Sequence, residues 1–421
     1  MKKYKIFLGF SEVANYYTNL CKGFKKLDIE FYFISYGKNI RNYDIDDAKF
    51  FDQKIIHLVV QKIKKNKLNK IIYYPVFFII KLYLFIKYMI KCNVFIFSYN
   101  SSFLWLIDLP ILKFFNKTII YSYHGSDSRP PYLSGNYINN GFSLEYVKKF
   151  TYEIYKKNKR IEKYADVIIG FPAMCQFFSR IIINTLWIGL PIDLKYKKTT
   201  IVKKESSSIK IIHAPSSRKV KGSDYFKKII LELKNEGYKI SYDELYNVPN
   251  KQVLNEIQKS DIVLDELYSD TTMAGLATEA AFFGVPSIVG GYHDNISKDL
   301  KNMSLPPSKY VNPNLIKKAL IELILSKDKR QSLGESAKEF VNKNWTSLIV
   351  AKKYLMLIKK EKLPETAYYQ QDDIESFYGW GVSKEDLKKF LKNYIGKFGK
   401  QALFLSHNKK LEKKILEYIK H

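Results

Sequence analysis

The chain is poor in cysteine, with three residues, Cys21, Cys92 and Cys175, in 421. They lie far apart, form no Cys-x-x-Cys pair and have no neighbouring histidine, so neither a disulfide framework nor a zinc site is indicated. Acidic residues are also few, 41 Asp+Glu against 70 Lys+Arg, for a net charge of +29. Such an excess fits nucleic acid, an anionic membrane surface or acidic small molecules, and composition alone does not choose among them. The basic residues are mostly lysine, in a chain also rich in Ile, Asn, Tyr and Phe, a bias that an AT-rich coding sequence produces without any partner. No nucleic-acid-binding module is recognisable. The first apolar run, at 6–10, is broken by Ser11 and Glu12 and is too short for a signal peptide, so the reducing cytoplasm is the expected compartment. No pair of carboxylates stands out as nucleophile and acid, which counts against glycoside hydrolysis. The run Asp44, Asp46, Asp47 is similar to a metal-binding Asp-x-Asp motif, but it sits in a polar connection and is read as solvated loop, so no metal is expected.

What is present is enough apolar residue, 46%, for two large cores. Residues 4–10 read as a buried strand, 12–26 as a helix and 30–35 as a second strand, the opening of a parallel βαβ unit. Short apolar strands at 93–97, 117–123 and 166–170 follow at helical separations, which predicts a doubly wound α/β sheet. Residues 195–208, lysine-rich and closing on three serines, read as a linker. The pattern then restarts. Ser223 is expected to cap a helix whose Phe226, Ile229, Ile230 and Leu233 share one face and which Gly237 stops. Strands at 238–242, 261–264 and 286–290 alternate with further helices, and helices run from about 313 to 360. The expected domains are therefore 1–194, a linker at 195–208, 209–360, and a helical extension at 361–421. Residues 384–421 hold 11 lysines and 4 acidic residues, and no chemistry is assigned to them.

Between residues 61 and 91 stand 8 lysines and no acidic residue, around the apolar run 71–90. Lys81 and Lys87 would each cost about 2.5–3.5 kcal/mol near a bilayer centre, which argues against a spanning helix. On a helical wheel Lys70, Lys81, Lys87 and Lys91 share an arc of about 120° opposite a broad face of Phe, Ile, Leu and Tyr. That pattern fits a helix lying in a membrane interface. It equally fits a domain helix packed on its sheet with the lysines in solvent.

Two glycine-marked elements carry the functional signal. The first is a strand entering a basic loop, Ile-Ile-His-Ala-Pro-Ser-Ser-Arg-Lys-Val-Lys-Gly at 211–222, which brings Ser216, Ser217, Arg218, Lys221 and Gly222 to a sheet edge where anions bind. The second is a helix entering a strand, Gly-Leu-Ala-Thr-Glu-Ala-Ala-Phe-Phe-Gly-Val-Pro-Ser-Ile-Val-Gly-Gly at 275–291. Its small residues let the helix pack close to the sheet and place Gly275 and Glu279 at the same edge. A carboxylate beside phosphate-binding cations makes sense as an acceptor for ribose hydroxyls. In the first half, Tyr-His-Gly-Ser-Asp-Ser-Arg at 123–129 follows a strand directly, so His124 and Asp127 are candidate catalytic residues. A structural histidine is the alternative. Gly9 ends the first strand where a phosphate could approach the backbone.

In this order these elements resemble the GT-B retaining glycosyltransferases, specifically those like glycosyltransferase family 4, over roughly residues 1–360. The stretches Asp108-Leu-Pro-Ile-Leu-Lys, His124-Gly-Ser-Asp127 and Pro191-Ile-Asp-Leu are similar to members of that group. The resemblance implies two Rossmann-like domains with parallel sheets facing a central cleft, besides the C-terminal helical extension. It implies Arg218 and Lys221 on the donor diphosphate, Glu279 on the ribose, His124 near the transferred sugar and Gly9 in a loop near the donor phosphates. It further implies a UDP- or GDP-linked sugar as substrate, no cofactor, retention of configuration, and a bacterial surface glycan such as capsule or lipopolysaccharide, or a lipid-linked precursor, as acceptor. One position departs: the family's second glutamate, eight residues before Glu279, is Thr271 here, with Asp270 beside it. Rival readings are a sugar-nucleotide epimerase of the same architecture, a nucleotide- or glycan-binding protein without catalysis, and, on charge alone, a nucleic-acid binder, whose binding would be steeply salt-dependent.

Overall fold

The computed structural model describes residues 4–36, 51–194, 208–292, 305–370, 374, 376–378 and 380–420. The Asp44, Asp46, Asp47 run and residues 195–207 of the expected linker lie outside them.

Strand β1 (Lys5–Phe10) is almost wholly buried, as a central parallel strand with helices on both faces must be. With β2 (Glu30–Ser35), β3 (Val94–Ser98), β4 (Thr118–Ser122), β5 (Val167–Gly170) and β6 (Ile182–Asn184) it forms a parallel set in the order β2-β1-β3-β4-β5-β6. The second sheet holds β7 (Ile209–His213), β8 (Ile240–Glu244), β9 (Ile262–Leu264), β10 (Ser287–Gly290) and β11 (Lys309–Val311) in the parallel order β8-β7-β9-β10-β11. In each sheet the order in which successive strands are added reverses beside its first strand, between β1 and β3 and between β7 and β9. Loops leave a sheet on opposite faces at such a switch point and open a crevice beyond the strand ends.

The expected strands are present within two residues, whereas β6 and β11, three residues each, are too short to show a period. Helix α1 (Tyr16–Lys26) starts four residues later than its apolar pattern predicts. Glu12 is the cause: its carboxylate accepts from the backbone N–H groups of Val13, Tyr17 and Thr18 at 2.9–3.1 Å and from Thr18 Oγ1 at 2.6 Å. It thus satisfies the open N–H groups of the first turn from outside the helix. Ser223 also differs from its expected role. The helix Ser223–Asn235 is capped by Gly222 at φ 78°, and Ser223, fully buried, bonds His213 Nε2 through Oγ at 2.9 Å.

After the second sheet the chain returns to the first. Helix Ser347–Lys359 packs along α1, with Val350, Ala351 and Tyr354 in one cluster with Ile6, Leu8 and Leu20. The approach needs a glycine: a Cβ on Gly23 would lie 2.0 Å from the Ser347 carbonyl oxygen. Strand β12 (Tyr368–Tyr369) then joins β6 as an antiparallel edge. The helices Lys384–Phe398 and Lys409–Lys420 bury Leu387, Leu391, Tyr394, Leu411 and Ile415 against Tyr132, Val147 and Ile154 of the first lobe.

Helix α2 (Phe51–Lys65) and helix α3 (Lys67–Lys91) pack together on the β1–β3 side of the first sheet. The orientation of α3 reverses the domain-helix expectation. Lys81 is 2% exposed, whereas Ile71, Ile79 and Ile90 are 73%, 64% and 74% exposed.

Candidate functional site

A cavity of about 620 Å³ lies between the lobes, at the carboxyl ends of both sheets. The first lobe contributes Asn15, Tyr16 and Asn19 beyond β1, His124 beyond β4, and residues 190–192. The second contributes residues 214–216 beyond β7, Asn247 and Asn250 beyond β8, and the 271–276 turn with Glu279. Both switch points therefore open into one volume, large enough for a nucleotide-sized ligand.

Of the residues singled out in the sequence, His124, Ser216, Thr271, Gly275 and Glu279 line this cavity. Glu279 stands one turn inside the helix Gly275–Phe283 and accepts from Asn250 Nδ2 at 2.9 Å. Gly275 opens that helix and faces the first lobe, and a Cβ there would come no nearer than 4.0 Å to Ala14. The positive end of a nine-residue helix thus points into the cavity. Thr271 Oγ1 is turned toward Ser269 Oγ, 3.3 Å away.

Arg218 and Lys221 stand elsewhere than expected. They occupy the one-turn helix Arg218–Lys221 after β7, which Ser217 begins and Gly222 ends at φ 78°, and none of these four residues lines the cavity. Because β7 lies between β8 and β9, each cation reaches the carboxylate at the end of a neighbouring strand. Arg218 pairs with Glu244, which also receives Lys227 at 3.0 Å, and stacks 4.5 Å over Tyr246. Lys221 pairs with buried Glu266, whose other oxygen accepts from Trp380 Nε1 at 2.6 Å. Beside them Asp265 is buried, one of its oxygens has no hydrogen-bond partner among the described residues, and burial with the neighbouring Glu266 charge drives its carboxyl far above the usual range. Asp265 also feels the charges of Lys221 and Glu279, so of the expected residues these two lie near the same strand end.

Gly9 lies within β1, paired with Ile34 and Phe97, and is not at the cavity wall. The backbone there belongs to the residues after it. Asp127 is buried and accepts from the backbone N–H of His124 at 3.1 Å and of Gly125 at 2.8 Å. It holds the 124–128 turn in shape and does not reach the cavity. His124 Nε2 sits 3.1 Å from Tyr17 Oη and 3.2 Å from Ser122 Oγ, with the Tyr16 ring 4.3 Å away. Burial pushes this imidazole down to about 3, so it is neutral near pH 7.

A polar junction missed in the sequence joins the two lobes. Arg129 of the first lobe forms a bidentate pair with Asp270 of the second at 2.6 and 2.8 Å, and both side chains are 3% exposed. Trp380, from the C-terminal extension, lies 4.9 Å from the Arg129 guanidinium and 5.3 Å from Lys221 Nζ. Main-chain bonds from Gly135 N–H to the Trp380 carbonyl and from Gly381 N–H to the Tyr268 carbonyl fix it to both lobes. The extension, to which the sequence assigned no chemistry, thus supplies a wedge next to Lys221. Among the described residues no cluster of His, Cys, Asp or Glu is arranged to hold a metal ion.

No protein-family model and no curated protein matches the sequence. Solved structures do. Sucrose-phosphate synthase from Thermosynechococcus elongatus superposes with a TM-score of 0.51 at 12% identity, over 85% of this chain and 98% of its own. HepE of Anabaena in complex with UDP-glucose gives 0.51 at 11% identity, over 85% and 99%. With these likenesses, two parallel α/β lobes joined at their switch points establish the fold as GT-B.

Proposed function

We propose that this chain is a glycosyltransferase that takes its sugar from a nucleotide diphosphate donor held in the interlobe cavity. The carrying observation is the convergence on that cavity of an open helix N-terminus at Gly275 and a carboxylate at Glu279, one turn apart. The helix end attracts the diphosphate, and Glu279 is placed to accept from ribose hydroxyls, with Asn250 fixing its carboxylate. HepE, of the same fold, is described in complex with UDP-glucose, which supports a nucleotide sugar as ligand of this architecture.

Cleavage of a glycosyl phosphate bond places positive charge on the sugar and negative charge on the leaving diphosphate. In this reading the helix N-terminus stabilises the leaving group. Lys221 and Arg218 join it only by exchanging Glu266 and Glu244 for phosphate oxygens. Neutral His124 faces the cavity from the opposite lobe as a hydrogen-bonding group for the sugar. Retention, with the leaving phosphate taking the acceptor proton, needs no metal or cofactor and belongs to this proposal. So do a surface-glycan or lipid-linked acceptor, bacterial capsule or lipopolysaccharide synthesis, and a location on the cytoplasmic side of the membrane.

A panel of UDP- and GDP-sugars tests the reading through thermal stabilisation and through transfer to glycan acceptors. Stabilisation by at least one donor, lost in Glu279→Ala, is expected. A panel without any stabilising donor, or conversion of a donor to its epimer in the absence of acceptor, would sink it.

A further inference from the structure

Helix α3 is an amphipathic helix mounted the wrong way round for a soluble domain. Its inner face, Phe77, Lys81, Leu84, Phe85 and Tyr88, is buried, and Lys81 Nζ sits 4.0 Å from the Trp105 ring and 5.4 Å from that of Phe77. Its outer face, Ile71, Ile79, Leu82, Ile86 and Ile90, is exposed along the whole helix, and nothing among the described residues covers it. Trp105, half exposed, extends that face by stacking on Phe78 at 6.2 Å between ring centroids. Folded domains rarely leave so long an apolar strip in water, and one that persists marks a contact surface.

The charge around the strip selects the occupant. Lys62, Lys64, Lys65, Lys67 and Lys70 at one end and Lys91 at the other are exposed, with no acidic residue between 61 and 91. A second copy paired through this strip would bring the lysines of both chains together, because a two-fold contact matches a patch with itself. Anionic lipid headgroups satisfy both features: acyl chains take the isoleucines and the headgroups take the lysines. By length and composition α3 is long and apolar enough to cross a bilayer. Its packed inner face and the buried Lys81 require that it lie along the surface instead.

We infer that the outer face of α3, with Trp105, docks on an anionic bilayer surface and holds the first lobe against the membrane. The contact is independent of the donor reading, since vesicle binding requires no catalysis and donor stabilisation requires no vesicle.

The test is co-sedimentation of the full chain with phosphatidylcholine vesicles, with and without phosphatidylglycerol, at low and high salt. The wild type is expected to pellet with the anionic vesicles and to be released by salt. Replacing Lys64, Lys65, Lys67 and Lys70 by Gln, all solvent-exposed, should weaken binding at least about tenfold. Ile79→Glu/Ile86→Glu should abolish it while keeping the circular-dichroism spectrum of the wild type. A wild type left in the supernatant, or variants that bind as the wild type does, would overturn the inference. So would a wild-type dimer in light scattering that ignores vesicles and becomes monomeric in Ile79→Glu/Ile86→Glu, an outcome assigning the strip to a second copy.

Discussion

Glu279 is the residue from which the site is most directly tested, because it meets the cavity from a rigid helix and is oriented by Asn250. A charged hydrogen bond of this kind contributes about 1.5–3 kcal/mol. Glu279→Gln should therefore weaken binding of the stabilising nucleotide sugar by about 10- to 100-fold in calorimetry, with an unchanged melting temperature in its absence. A second residue-scale prediction concerns His124 and His213, whose imidazoles burial pushes down to about 3 and about 4. The unfolded chain takes up protons as pH falls through about 6.5 while the folded chain does not, so the contribution of these groups to stability is lost below that pH. Asp127, pushed up to about 6 by burial, acts in the opposite sense, so the comparison is best made against His213→Asn. The wild-type urea midpoint should fall further than that of His213→Asn between about pH 7 and about pH 5; parallel profiles would mean that His213 titrates normally. Residue identity made His124 and Glu279 legible in the sequence. It did not show that Asp127 holds a turn, or that Arg218 and Lys221 are engaged by Glu244 and Glu266, because strand-end neighbours are set by sheet order.

At the scale of the element, α3 shows how far a periodic pattern reaches. The lysine arc opposite a broad apolar face is plain in the sequence, but a helical wheel does not say which face meets the protein. The middle of the arc faces the protein, so that Lys70 and Lys91 toward the helix ends stay exposed while Lys81 is buried. Burial holds its ammonium down at about 8, against about 10.5 in an unfolded chain, while the surrounding rings favour the charged form. Where burial outweighs the rings, the folded state is penalised below pH ~8 and recovers as pH rises toward ~10.5, because the folded chain then gives up a proton that the unfolded chain keeps. Lys81→Met should melt higher than the wild type near neutral pH, with the gain shrinking toward about pH 10. A gain that does not change with pH would show that the ammonium is not destabilised. The start of α1 carries the same lesson in smaller form: Glu12 belongs to the helix pattern by sequence, yet its carboxylate caps the helix from outside.

For the molecule as a whole, the junction of Arg129, Asp270 and Trp380 joins first lobe, second lobe and extension. Removing one partner of a buried ion pair leaves an uncompensated charge and costs about 3–5 kcal/mol, whereas an apolar replacement of both can recover much of the loss. Arg129→Ala should lower the melting temperature clearly, and Arg129→Met/Asp270→Leu should restore part of it. A single variant that melts with the wild type would show that the pair does not hold the lobes. Trp380→Ala, which removes the ring beside Arg129 and Lys221 and the Nε1 donor to Glu266 but leaves the Lys221–Glu266 pair, is expected to change donor affinity, as calorimetry on that variant would report.

The amino-acid sequence alone determined the alternating strand and helix order, the two-sheet architecture and the carboxylate and glycine at the second sheet's edge. These follow from local periods of apolar residues and from glycine positions, which survive in one dimension. Tertiary structure alone decided which charges are already matched, which face of α3 is left to solvent, and that the last helices return to wedge Trp380 between the lobes. Each of those depends on contacts between residues on different elements, 26 positions apart for Arg218 and Glu244 and 141 for Arg129 and Asp270, and no local pattern records them.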